Sequence, residues 1–312
     1  MKNRIVAGIM ASCMLFSLFT VLLQPVFAQE NTINISDKED FINFAKKCTL
    51  DTWSLGKIVN LTCDIDFNGT KFSPIPTFGG SFNGNGYAIS GINLSDNGSY
   101  LGVFRYVQQS GKVSNLNVSG TFTPNGSKSY IGGIVGENSG IIENCTFNGN
   151  IKGENVIGGI VGNNTSTGQI ISCISDGNIT GENFTGGIAG KTDGLVLSCS
   201  NNSAINTIYE ETKQNFENLD TDVGAIVENK YTSDEEYEDE SVLGHSDTGG
   251  ITGYSSGVVQ GCTNNAPIGY KHIGYNVGGI AGRQSGYLLG CENFGFIQGR
   301  KDVGGIVGQA EP

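Results

Sequence analysis

The sequence predicts an all-β fold: a right-handed parallel β-helix (solenoid) with a short N-terminal capping helix. Three observations predict it. The box Gly-Gly-Ile-(Val/Ala/Thr)-Gly recurs six times, starting at Gly132, Gly158, Gly186, Gly249, Gly278 and Gly304. Columns of cysteine and aliphatic residues run in step with the boxes. Glycine, at 48 of 312 residues, is about twice as common as in an average globular chain, yet shows no Gly-X-Y period of the collagen kind.

The boxes are 26, 28, 63, 29 and 26 residues apart. A cysteine follows each of the first five: Cys145, Cys173, Cys199, Cys262 and Cys291. Six residues beyond each cysteine stands an isoleucine (Ile151, Ile179, Ile205, Ile268, Ile297). Three residues before each stands an aliphatic side chain (Ile142, Ile170, Val196, Val259, Leu288). A weaker unit around Tyr100-Leu101-Gly102-Val103-Phe104 puts Val113, Leu116 and Phe122 in the same columns. Each unit thus holds three short apolar segments separated by Gly, Asn and Ser, residues that tolerate the positive φ of tight corners. With no helical period, one three-sided coil per unit is the expectation, the coils stacked about 4.8 Å apart as parallel strands. Ile160 and Ile188 are expected to point inward, each contributing about 1.5–3 kcal/mol by burial. No coil can bury its face alone, so stability is a nearest-neighbour sum.

These boxes, in units such as Ile157-Gly158-Gly159-Ile160-Val161-Gly162, resemble the GLUG repeat of bacterial surface proteins. Leu61 to Phe67 and Phe78 to Gly86 are similar to the first coils of that family. The resemblance covers roughly residues 36 to 310. It implies a parallel β-helix and brings no catalytic residues with it. In some immunoglobulin A peptidases such repeats precede the catalytic part.

The N-terminus reads as a secretory signal over residues 1–28. Lys2 and Arg4 precede an apolar run from Ile5 to Leu23, and Val26-Phe27-Ala28 offers a cleavage site before Gln29. The run is long enough for a membrane anchor, but Pro25 and the Val-x-Ala site favour cleavage, leaving no membrane span in the mature chain. Residues 29–99 are assigned to the cap and first coils. Ser36-Asp37-Lys38-Glu39 reads as a capping box, and Phe41, Phe44 and Ala45 share one helical face that would cover the open sheet edge. Residues 100–312 are the repeats, carrying an acidic insertion at about 207–247. That insertion is a solvated loop or a site for cations or a basic partner. Asp222 to Val227 resembles a decayed box within it. The last box ends at Gly308 without its cysteine and isoleucine columns, so further coils, further domains or a partner are expected beyond Pro312.

The chemistry-bearing residues point away from catalysis. The formal charge of −12, without a Lys/Arg cluster, argues against nucleic acid and anionic membranes as partners. The repeat cysteines form a line with no Cys-x-x-Cys or convergent histidine, so they are expected to be buried thiols and not metal ligands. Cys48 and Cys63 lie outside that line and are candidates to pair. His245 and His272 make no zinc motif, and the glycine pairs lack the features of a phosphate loop. Asp64 and Asp66 are a candidate acidic pair, but are expected to face solvent or close the first coil. No catalytic, cofactor-binding or metal residue is therefore assigned. The expected function is a non-catalytic secreted or cell-surface module for adhesion, presenting a face to an extracellular glycan or host protein. The alternatives are a stalk of a larger surface protein such as a peptidase, or a β-helix carbohydrate-active enzyme.

Overall fold

A computed structural model of the protein describes residues 31–95, 98–126, 128–207, 245–271 and 273–312. The signal segment, the acidic residues from Glu210 to Glu240, the decayed box and His272 lie outside these residues. The described residues form a parallel β-solenoid of about eight turns, with one short helix among them.

Each full coil carries four strands, where three were expected. One coil runs Ser129–Gly132, Val135–Asn138, Ile141–Glu143 and Thr146–Lys152. The strands stack into sheets of nine, six, eight and eight members. The extra strand lies immediately before the box. It mixes polar, aromatic and aliphatic residues that change from coil to coil (Ser-Tyr-Ile-Gly, Asn-Val-Ile-Gly, Asn-Phe-Thr-Gly), so it does not read as an apolar segment.

The box is the joint between this strand and the next. Of the Gly, Asn and Ser residues expected to allow positive φ at the corners, none of the box glycines has one. They are required by close approach. A Cβ on Gly162 would lie 2.7 Å from the carbonyl carbon of Tyr130 in the preceding coil. One on Gly133 would be driven into the ring of Phe147. Positive φ falls on other columns. Asn115 (52°), Asn144 (51°), Ser172 (53°) and Ser198 (54°) turn the corner before the cysteines. Tyr130 (60°), Val156 (61°), Phe184 (53°) and Asp247 (53°) lie two residues before the boxes, where they have no partner in the ladder.

The interior matches the expected columns. Ile142, Ile170, Val196 and Val259 are buried, as are Ile151, Ile179, Ile205 and Ile268, and Ile160 and Ile188 are wholly inaccessible. Polar ladders continue where the apolar ones stop. Asn138 Nδ2 donates to Asn164 Oδ1 at 2.8 Å, and Asn164 Nδ2 to Thr192 Oγ1 at 3.0 Å. Asn201 bonds Asn264 in the same way at 2.8 Å. Buried amides stacked in register satisfy one another, which removes the cost of their burial.

The helix spans Lys38–Lys47. Its cap is Asp37 and not Ser36. The Asp37 carboxylate accepts from Asp40 N at 2.8 Å, while Asp40 reaches back to accept from Ser36 N at 3.0 Å and Ser36 Oγ at 2.7 Å. The reciprocal logic of a capping box holds, shifted by one residue. Phe41 packs against Phe67 (5.5 Å between ring centres) and Phe44 against Phe78 (6.0 Å), so the helix covers the first coil as expected.

The long step between boxes is an excursion from one coil. Asn183 pairs with Ser246 and Gly186 with Gly249 in unbroken register. The coil closes around it through Asn206, which is buried. Asn206 Oδ1 accepts from Gly181 N at 2.9 Å, and its Nδ2 donates to Thr248 Oγ1 at 3.1 Å.

Candidate functional site

The cysteine ladder is structural. Cys145, Cys173, Cys199 and Cys262 are buried and Cys291 is half-buried. Each thiol donates to the carbonyl two residues earlier, as Cys173 Sγ does to Ile171 O at 3.4 Å. Each sulfur from Cys199 onward also accepts the N–H of the cysteine one coil before, as Cys199 Sγ does from Cys173 N at 3.4 Å. Burial raises the Cys145 and Cys199 thiols well above the ordinary range. The candidate Cys48–Cys63 pair is not formed, and both thiols are free. Cys48 is the C-cap of the helix and is buried, which pushes its thiol up to about 12. Cys63 Sγ donates to Ser36 O at 3.0 Å.

Asp64 and Asp66 do not act as a pair. Asp64 accepts from Ala88 N and Asp66 from Asn68 N, each at 2.8 Å, so both carboxylates fasten the first coils. His245 sits beside the Tyr270 ring at 5.1 Å. Among the described residues no three His, Cys, Asp or Glu side chains gather as a metal site would require.

A seam of outward side chains runs beside the box joint. One column lies two residues before the box and includes Tyr100, Tyr130, Phe184 and Asp247. The other lies on the following strand and includes Tyr106, Glu137, Lys191, Tyr254 and Arg283. The close joint that the glycines permit brings the two columns together. Tyr100 and Tyr130 stack with centres 4.4 Å apart and planes 5° from parallel, and Tyr106 leans on Tyr100 at 5.0 Å. Burial first, then the charge of Glu137, raises the Tyr106 phenol, so its hydroxyl remains a donor. Further along, the Arg283 guanidinium lies 5.1 Å from the Tyr254 ring and 5.8 Å from Phe184. Lys191 Nζ lies 5.7 Å from the centre of the Tyr254 ring.

At the helix end the seam opens into a cavity of about 600 Å³. Tyr106, Pro76 and Leu55 give it apolar walls. Thr49, Asp51, Thr52, Thr77 and Gln108 supply polar groups. Gln108 Nε2 donates to Asp51 O at 2.7 Å and to Thr77 Oγ1 at 2.9 Å, tying the loop after the helix to the wall of the solenoid. Sequence reasoning missed both the seam and the cavity. The signal was present as two columns at fixed offsets from the box, but their residue types change from coil to coil.

Comparison with known proteins agrees with this architecture. The family whose model matches is the GLUG motif, over residues 128–152. A protein of Evansella cellulosilytica, named as a Gly-rich membrane protein, is 30% identical over 146 residues, which is 35% of this chain and 17% of that one. Halomucin of Haloquadratum walsbyi is 33% identical over 107 residues, 32% of this chain and 1% of that one. The matched part therefore spans a small share of those relatives. A crystal structure from Bacteroides ovatus, of a protein assigned as an immunoglobulin A1 protease, aligns with a TM-score of 0.52 at 17% identity. The alignment covers 88% of this chain and 84% of that one, a likeness of fold alone.

Proposed function

We propose that this chain, a parallel β-helix that carries the GLUG motif, is a non-catalytic repeat module displayed outside the cell, where its outward flank binds an extracellular glycan or host protein. The observation that carries the reading is the seam of Tyr100, Tyr106 and Tyr130 leading into a preformed cavity. Partly exposed aromatics beside a few fixed polar groups are how rigid scaffolds make binding sites. The side chains that could have carried chemistry are engaged in structure: the repeat thiols lie in the core, and Asp64 and Asp66 hold backbone amides. The cleavable N-terminal signal supports an extracellular location. Among the described residues no helix is long and apolar enough to cross a membrane.

The test is direct. Residues 29–312 would be labelled and applied to arrays of glycans and of extracellular matrix proteins. Saturable binding to one class supports the reading, and silence on both arrays overturns it.

A second reading, the stalk of a larger surface protein, is favoured by the small share of the relatives that the match covers. Antibody against residues 100–200 would be used to blot fractions of the producing cells. A wall-bound band far larger than the 32.9 kDa chain supports a stalk, and a secreted band near that mass opposes it.

A further inference from the structure

We infer that the cavity at the helix end is a sugar subsite, which seats one ring of a neutral glycan against Tyr106. The inference rests on the binding reading above and names the ligand class and the place.

A pyranose has apolar C–H faces and a rim of hydroxyls, and the cavity has the complementary division. Tyr106, Pro76 and Leu55 offer flat or apolar surface. Leu55 is 45% exposed, an uncovered aliphatic residue that a bound ring would shield. Thr49, Thr52, Thr77, Gln108 and Asp51 supply the polar part of the same lining; of their side chains, Thr49 Oγ1 already donates to Lys46 O and Gln108 Nε2 to Asp51 O and Thr77 Oγ1. Threonine hydroxyls donate and accept, as sugar hydroxyls do. The volume of about 600 Å³ suits a mono- or disaccharide unit among small-molecule sites, which run from about 300 to 1,000 Å³.

The site is built before any ligand arrives. Gln108 fixes the loop by its two hydrogen bonds. Ser54 Oγ, wholly buried, accepts from Gly79 N at 2.9 Å. Gly80 lies so close to the loop carbonyls of Ser54 and Lys57 that no side chain fits between them. Behind Tyr106 the Tyr100–Tyr130 stack holds the ring at its angle. Little ordering is left for binding to oppose.

Charge selects among glycans. The acidic residue lining the cavity is Asp51, and the chain carries −12 overall. Asp51 disfavours a sulfate or uronate seated against it, and a neutral ring meets no such penalty.

The full mature chain would be screened on neutral, sulfated and uronate-bearing oligosaccharides, and cellohexaose, chitohexaose and mannohexaose titrated by calorimetry. The expected result is binding of a neutral series, weakened at least tenfold by Tyr106→Ala and retained by Tyr106→Phe. Leu55→Glu, on the exposed loop, should abolish binding without lowering the melting temperature. This second variant keeps the test valid if Tyr106→Ala folds poorly. Tyr287→Ala, an exposed position outside the seam, should leave the affinity unchanged. Neutral-glycan binding unaffected by Leu55→Glu overturns the site. Selective binding of anionic glycans or of a matrix protein overturns the ligand class and leaves the binding reading standing. Silence on every array overturns both.

Discussion

Arg283 joins two coils of the seam by closing on Asp247. Its Nη2 lies 3.0 Å from the Asp247 carboxylate, and its Nη1 lies 3.2 Å from Glu311. Asp247 is almost wholly inaccessible and also accepts from Asn276 Nδ2 at 2.8 Å. Burial nonetheless outweighs these partners and raises its carboxyl above the ordinary value of 3.8.

The sign of the resulting pH dependence follows. A carboxyl raised in the folded state contributes stability that is full below the unfolded value and is lost as pH rises through the folded value. Asp247→Asn removes that titration and keeps a residue type that accepts the left-handed backbone. The melting-temperature advantage of wild type over the variant should be largest below the ordinary carboxyl value of 3.8 and shrink as the pH rises above it. A growing advantage would mean that Arg283 dominates over burial.

Gly162→Ala should destabilise the solenoid by about 1–3 kcal/mol, as overpacking does, because the new methyl meets the Tyr130 backbone. Gly305→Ala is the internal comparison. Nothing lies within 4 Å of a Cβ at Gly305, so a change within about 0.5 kcal/mol is expected. Urea unfolding of both variants checks the pair, and equal effects would refute the close-approach account of the box.

Ser172→Asn should stabilise by about 0.5–1 kcal/mol, since Asn tolerates positive φ better than Ser. Ser172 is exposed at φ 53°, and Asn144 and Asn115 already occupy its column. A lowered melting temperature would contradict this.

A thiol reagent applied to the folded mature chain near neutral pH should modify Cys63 rapidly and the other six cysteines only on unfolding. Cys63 is partly exposed, whereas burial protects Cys48, Cys145, Cys173, Cys199 and Cys262. The Cys262 sulfur beside Cys291, together with burial, raises Cys291 and so protects it. Mass spectrometry of labelled peptides decides the matter. Rapid loss of Cys173 or Cys199 would show that the core opens on that timescale.

The repeating interior was legible because burial demands the same chemistry in every coil. Ile142, Ile170, Val196 and Val259 had to be apolar, and their spacing revealed the stack. The capping helix was legible from Phe41, Phe44 and Ala45, although its cap lay one residue later than the motif suggested. The fourth strand escaped because Ser129–Gly132 mixes inward and outward residues and ends in glycine. The seam escaped for a related reason. Tyr130, Val156, Phe184 and Asp247 share a backbone conformation and not a residue type, so no repeat appears in letters. The cavity lies where the loop after the helix meets the wall, a meeting of Leu55 and Tyr106 that spacing cannot foresee.

The in-register pairing of Asn183 with Ser246 bears on how such a chain can vary. The neighbouring coils are held by Asn206 and by the ladder, whatever length of chain lies between positions 207 and 245. The entropic cost of closing a chain segment between two fixed points rises by only about 0.6 kcal/mol for each doubling of its length. This corner is therefore a permissive port. Lineages could exchange the passenger it carries, and engineers could graft an epitope there, while the stack on either side is inherited unchanged.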